Sequence, residues 1–595
     1  MMSAAPSGGG GRRHSTNVRT QAIPMAAVEG LSVRFGGGAA PERSRSLRIG
    51  KSSLVLLGLI AFLTSFAILP LAVIFAKSLQ SASGQFVGFR NYLQYFSDNA
   101  ATPVIVNTLT IAAVSTVTTV VLAYLFALCL SHSCMRLKGL FRSAALLPLL
   151  TPSLLSAMTL TQLFGQQGYL NDLMMGHSIY GPTGIVIGMT IAHFPHVFLI
   201  ISTAIALSDN RLYEAATALK AGRLKTFMAV TLPGTKYGLV SAIIVSFTLC
   251  VTDFGIPKVI GGQYPMLATE IYKQVVGQQN FQIGAVVSII MLAPAIAAFF
   301  IDRRVRRRQS ASLTAKSVPF VPRPQPVRDW LAFAFCLVIA IVIAAMIVIP
   351  AYASFIKFWP YNMSLTLRNY EFHRFGGGGW ESYFNSLRLA VLTASCGTLV
   401  VFAGAYLAEK STAPKWLRDG YQSVALFPLA VPGLVLGLAT LIYINRPQNP
   451  LQFLYGTMTI LVVTTMIHYF TVSHFTAVTA LRQLDGEFEL VSDSLKAPRS
   501  KILLTVTLPL CVPALLDIWI YLFLSAMNTV SAAVFLYSHD TALAAITVIN
   551  MDDAGEYAPA AAMAVVIVAT CIAARVLHLA ASAAIASATQ KWRAG

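Results

Sequence analysis

The feature that most constrains this chain is a series of apolar runs, each of 18 residues or more, repeated along nearly its whole length. Twelve lie at roughly 54–76, 105–131, 141–164, 183–207, 237–258, 283–301, 331–355, 385–408, 420–444, 456–480, 511–537 and 558–582. Each is long enough to cross about 30 Å of hydrocarbon as a helix. Lipid offers no water to the backbone, so every peptide group must find its partner within the protein, and continuous apolar runs predict helices. At 56% hydrophobic and 11% charged residues, the chain has no stretch suited to a large soluble domain. The expected fold class is an all-α polytopic membrane protein of about 12 transmembrane helices.

Charge sets the expected orientation. With the N-terminus on the cytoplasmic side, the inner loops and tails hold 33 of the 43 Lys and Arg residues, as the positive-inside rule requires. The net charge of +20 then belongs to the inner face and gives no reason to expect nucleic acid as a partner. Both termini are expected to be cytoplasmic. The Gly-, Ser- and Arg-rich segment 1–52 reads as a disordered basic tail without cleavable-signal architecture, since its first apolar run is long enough to span. Seven cysteines lie in or beside the runs, with no CxxC or ligand spacing, and read as small buried hydrophobes. No metal site and no GxxxxGK[ST] phosphate loop is present, so the chain is not expected to be an enzyme or to bind a cofactor, and any ATP hydrolysis belongs to a partner.

The chain also repeats itself. Asp209, Leu219, Lys220, Ala221, Arg223, Val230, Thr231, Leu232 and Pro233 return 276 residues later as Asp485, Leu495, Lys496, Ala497, Arg499, Val506, Thr507, Leu508 and Pro509. Arg90-Asn91-Tyr92 and Asn107 return as Arg368-Asn369-Tyr370 and Asn385; Pro148 and Pro152 return as Pro428 and Pro432. This divides the chain into a first repeat at 53–302, a basic, Pro-containing linker at 303–329 and a second repeat at 330–595. An even number of spans per repeat keeps both halves in one orientation, with a pathway between them.

Each repeat carries one polar loop, at 208–236 and 481–510. In the first, Leu212, Ala215, Ala216 and Leu219 share one side of a short helix, and Pro233 and Pro509 suit the first turn of the following helix. The stretch Tyr213-Glu214-Ala215-Ala216 through Lys220, Gly222 and Leu232-Pro233 resembles the EAA loop of ABC-importer permeases. The resemblance implies a type I importer permease fold, with each loop docking into an ATPase homodimer at the cytoplasmic face and a periplasmic solute-binding protein delivering the solute. It places ATPase coupling on Glu214, Ala215, Ala216, Lys220, Gly222, Pro233, Glu489, Lys496 and Pro509. The match has departures. Lys220 and Lys496 occupy the family's usual Gly position, leaving the turn to Gly222 and Pro498. Glu489 falls one residue early, about 100° away on a helix, so the two couplings are expected to be unequal.

Polar residues within the apolar runs point to a pathway. Thr252, Asp253 and Gly255 at the end of the fifth run match Asn528 and Thr529 in the eleventh, and the resemblance makes these segments candidate pathway lining. The plainer reading of Asp253 is an interhelical hydrogen-bond partner. His193, His196, His468 and His474 are too widely spaced, and lack the carboxylates, for a metal site. Asp517 reads as structural, paired with a loop Lys or Arg. A twelve-span secondary transporter would carry a GxxxDRxGR-like loop between its second and third spans, and neither repeat has one. The segment from Thr252 to Gly277 resembles permeases for 2-aminoethylphosphonate and, more loosely, ferric-iron permeases; polyamine is a further alternative.

Overall fold

The computed structural model describes residues 50–97, 101–309, 320–375, 378–485, 487–488, 494 and 498–589. The tail expected at 1–52 falls almost wholly outside them. The first half contains α1 (Lys51–Ser78), α2 (Ala101–His132), α3 (Lys138–Leu150), α4 (Leu154–Phe164), α5 (Pro182–Ala206), α6 (Asn210–Ala218), α7 (Arg223–Thr252), α8 (Gly255–Ile260), α9 (Leu267–Tyr272) and α10 (Phe281–Gln309). The second contains α11 (Pro326–Ala353), α12 (Gly379–Lys410), α13 (Lys415–Ala430), α14 (Gly433–Ile444), α15 (Met458–His468), α16 (Phe470–Arg482), α17 (Ser500–Met527), α18 (Ala544–Asp553) and α19 (Tyr557–Thr589). Strands β1 (Ile356–Phe358) and β2 (Asn362–Leu365) form an antiparallel hairpin, a small addition to the all-α expectation.

Among the described residues nine helices are long and apolar enough to cross a membrane, or up to twelve if each of three bent pairs is one span. The runs at 141–164, 420–444 and 456–480 are these pairs, bent by 100°, 110° and 58°. For the first two the reason is in the sequence: Pro148 with Pro152, and Pro428 with Pro432, interrupt the helical hydrogen bonds, and a 3-10 turn ends the helix before each break.

The repeat is written in hydrogen bonds as well as in letters. Asn91 Nδ2 donates to the carbonyls of Ser78 and Gln80, both at 2.8 Å, and Asn369 donates to those of Ser354 (2.9 Å) and Ile356 (2.7 Å). The hydroxyls of Tyr92 and Tyr370 meet Ser78 and Ser354, each at 2.8 Å. Asn107 donates to the Pro265 carbonyl, and Asn385 to those of Asp540 and Ala542. The repeated Arg-Asn-Tyr and Asn positions are therefore ties that fasten loops to helix ends, where a short amide can satisfy two otherwise unpaired carbonyls.

Each half has a core in which its long helices pack together: α2, α5, α7 and α10 in the first, and α12, α16, α17 and α19 in the second. Phe126 of α2 meets Phe194 and Phe198 of α5 edge-on, both at 5.4 Å between centroids. The leading helix of each half crosses to the other. α1 lies against α12, α13 and α14 as well as α10, and α11 lies against α2, α3 and α4 as well as α19. Thr159 of α4 bonds the Met346 carbonyl of α11 at 3.2 Å.

Candidate coupling helix and interhalf seam

Helix α6 starts at Asp209, whose carboxylate accepts from the Arg211 amide at 3.1 Å, a standard way to satisfy a free N-terminal N–H. It ends in a Schellman turn: the Ala221 amide donates to Ala216 and the Lys220 amide to Thr217. The left-handed residue of that turn is Lys220, at φ 51°. Gly222, expected to make the turn, is extended at φ −64°. The chain reverses at the family's usual Gly position, with a side chain carried where only glycine escapes strain.

The four apolar residues expected on one side of α6 divide. Ala216 is buried with Tyr213, while Leu212, Ala215 and Leu219 remain exposed, together with Glu214, Lys220, Gly222 and Leu224. Glu214 accepts from Asn210 Nδ2 at 2.7 Å and otherwise faces outward. The inward side is held by Tyr213, whose hydroxyl donates to Thr231 Oγ1 at 3.1 Å and lies 3.3 Å from His132 Nε2. His132 stacks on Phe320 with centroids 4.5 Å apart, and Tyr213 packs on the same ring. Arg223 donates to Gln325 Oε1 at 3.0 Å. One short helix is thus fixed to the end of α2, the start of α7 and the segment leading into α11. The sequence reading missed Tyr213 and His132. The tyrosine directly before Glu214-Ala215-Ala216 was the available signal for the first.

Pro233 and Pro509 stand, as expected, in the first turn of the α-helical stretches Leu232–Thr252 and Leu508–Met527, but each stretch is prolonged backwards within the continuous helices α7 and α17. Five residues of π-helix precede each, Phe227–Thr231 and Leu503–Thr507. Widening the turn makes room for a ring that would otherwise strike the carbonyl four residues back, and absorbs the missing N–H. Glu489 and Lys496 lie outside the described residues, so the structure does not bear on the inequality expected of the second loop.

Asp253 is an interhelical partner. Its side chain, 6% exposed, lies 3.3 Å from His193 Nε2 of α5 and accepts from the Ile256 amide at 3.0 Å, starting α8. His193 therefore does have a carboxylate beside it, contrary to the sequence reading, and Cys250 Sγ lies 3.5 Å from its other nitrogen. Thr252 turns its hydroxyl back to the Thr248 carbonyl at 3.0 Å. In the second half Tyr469 and Thr529 hold the corresponding sequence positions, 276 residues on. Asn528 Nδ2 reaches Cys571 Sγ of α19 at 3.9 Å. Gly255 serves close packing: a Cβ there would lie 3.0 Å from Ser153 Oγ, and in the second half the roles reverse, with Gly433 against Ser531 Oγ. Asp517 pairs with His578 at 3.2 Å, not with a loop cation, although Arg575 lies on the same helix beside that imidazole. In the first half Ser241 and Asp302 form the equivalent contact at 3.0 Å.

At the end of the bundle away from α6, the halves meet at Lys258. Its ammonium lies 2.9 Å from the Asp553 carboxylate of α18 and 5.3 Å from the centre of the Tyr272 ring. Burial, then the neighbouring Asp553 charge, push the Asp552 carboxyl up to about 7, and Lys258 pulls it back. Tyr272 packs on Phe254 of its own half and Phe535 of the other. Also at this end, Trp359 Nε1 donates to the Gln162 carbonyl at 3.0 Å. Among the described residues no three His, Cys, Asp or Glu side chains come together as a metal site.

Residues 33–311 and 400–586 match the family described as binding-protein-dependent transport system inner membrane component. A relative named ferric transport system permease protein FbpB, from Actinobacillus pleuropneumoniae, is 25% identical over 87% of this chain and 76% of its own. The spermidine/putrescine transport system permease protein PotB of Haemophilus influenzae is 24% identical over 42% of this chain and 93% of its own. A solved bacterial alginate ABC transporter, in complex with an alginate-bound periplasmic protein, gives a TM-score of 0.38 at 16% identity, over 44% of this chain and 95% of that one.

Proposed function

The chain belongs to the family of binding-protein-dependent transport system inner membrane components, and from that premise we propose that it forms, alone, the whole translocation pathway of an ATP-driven importer. The observation that carries this is the pair of equivalent halves, each with one polar loop entering a π-bulged helix, in a multi-pass inner membrane protein. An ATPase homodimer docks at the end bearing α6, on the cytoplasmic side, and a periplasmic binding protein delivers solute to the opposite end. In this reading the exposed face of α6 is the ATPase contact: Leu212, Ala215 and Leu219 supply apolar area and Glu214 a charge. Because Tyr213 ties α6 to α2 and α7, movement of the ATPase reaches the membrane helices through a rigid connection. Thr252, Asp253, Gly255, Asn528 and Thr529 bound the pathway by positioning its wall rather than by presenting free charges. The test is Glu214→Lys. It is expected to leave insertion intact while lowering binding-protein-stimulated ATP hydrolysis at least about tenfold, the size of a lost charged interface contact. Undiminished stimulation would remove the coupling role.

For the solute we propose 2-aminoethylphosphonate. The support is the likeness of the segment from Thr252 to Gly277, which contributes α8, α9 and Lys258 to the junction between the halves. Ferric iron is the second reading, favoured by the relative named as a ferric transport permease. Kinship at this identity spans ferric and polyamine names alike, so it fixes the machine more firmly than the cargo. The discriminating measurement is growth after deletion of the gene, in a strain without another phosphonate importer. Failure on 2-aminoethylphosphonate as sole phosphorus source supports the first reading; a defect confined to ferric iron overturns it for the second.

A further inference from the structure

The groups at the junction of the halves are arranged as a closure. Lys258 comes from α8 of the first half and Asp553 from the last turn of α18 of the second, so their 2.9 Å contact bridges the two repeats. The ammonium is 22% exposed and the carboxylate 47%, so the pair sits at the edge of solvent and can exchange its partner for water when it parts. Beneath it, Tyr272 takes the ammonium over its ring and touches Phe254 and Phe535, so the aromatic contact also spans the halves. Both carriers are held firmly to their own halves. The Gly181 amide bonds the Ile260 carbonyl at 2.9 Å to anchor α8, and the Ala544 amide bonds Ser386 Oγ at 2.8 Å to anchor α18. The helices that carry the charges move with their own halves, so a separation beyond the reach of the two side chains breaks the pair.

We propose that Lys258 and Asp553 form an interhalf latch at the mouth opposite the coupling helix, which holds the pathway closed there until the halves part to receive solute. This rests on the importer reading but not on the identity of the solute. A partly exposed pair is modest in strength, which suits a contact that must open in every cycle. The Tyr272 ring keeps Lys258 in place while the pair is parted.

The experiment uses the full chain, purified with its ATPase in lipid nanodiscs, and compares Lys258→Gln, Asp553→Asn and the exchange Lys258→Asp with Asp553→Lys. Each single change is expected to raise ATP hydrolysis without binding protein by roughly two- to fivefold, the factor such a pair supplies. The charge exchange should return it toward the wild-type level, and Lys258→Arg should stay near wild type throughout. Copurification of the ATPase establishes that each variant is folded. Basal hydrolysis unchanged in both single variants, or an exchange no better than the singles, would overturn the latch. Failure of the importer reading is separate, and would appear in the wild-type complex as hydrolysis that no binding protein stimulates.

Discussion

Lys220 shows how much one backbone angle decides. Its left-handed φ of 51° closes α6, and a side chain there costs roughly 1 kcal/mol relative to glycine. Lys220→Gly should therefore stabilise the turn by about that amount, seen as slower amide exchange across residues 210–222. Unchanged or faster exchange would mean that the lysine is unstrained. At the same scale, Asp253 and His193 explain one another. A carboxylate taken out of water is costly unless paired, and the acid that the sequence offered both as pathway lining and as an interhelical partner is paired between helices. Its partner was unreadable because the two residues stand 60 positions apart, and only packing of α5 against α7 brings them together. The exchange of Ser153 and Gly255 for Gly433 and Ser531 follows the same logic: one contact too tight for two side chains, solved from either side.

At the scale of elements, the prolines expected in the first turn of a helix stand there, but a π-helical turn prolongs each helix behind them. Pro233 and Pro509 belong to long helices that tolerate them by widening one turn, whereas Pro148, Pro152, Pro428 and Pro432 break theirs outright. Apolar length alone does not separate these outcomes, because both kinds of segment are long and apolar enough to span. The Asn ties are the clearest element-level feature the sequence did announce. Asn91→Ala would leave the carbonyls of Ser78 and Gln80 without their side-chain donor, at a cost of about 1–3 kcal/mol. Asn369→Ala should cost as much at Ser354 and Ile356. Melting of the purified variants checks both, and a fall in only one would contradict the equivalence of the two ties.

For the whole molecule, the orientation inferred from charge predicts that reporter fusions after residues 220, 315 and 500 face the cytoplasm and those after 270, 375 and 550 the outer side. A half found inverted would break the parallel arrangement. The sequence by itself determined that the chain is helical and membrane-embedded, that it is two copies of one unit, and where the first polar loop falls. These follow from apolar run length and from a repeat register, which are properties of residues near one another in the chain or matched at a fixed offset. Only the tertiary structure decided that each leading helix covers the other half, that the histidines at 193 and 578 answer carboxylates on neighbouring helices, and that Lys258 meets Asp553 at the junction. The physical reason is that lipid-facing and protein-facing apolar surfaces have the same composition in a membrane. Hydrophobicity therefore marks which segments enter the bilayer but not which of them touch, and that choice rests on shape and on a few buried polar groups whose partners lie far away in sequence.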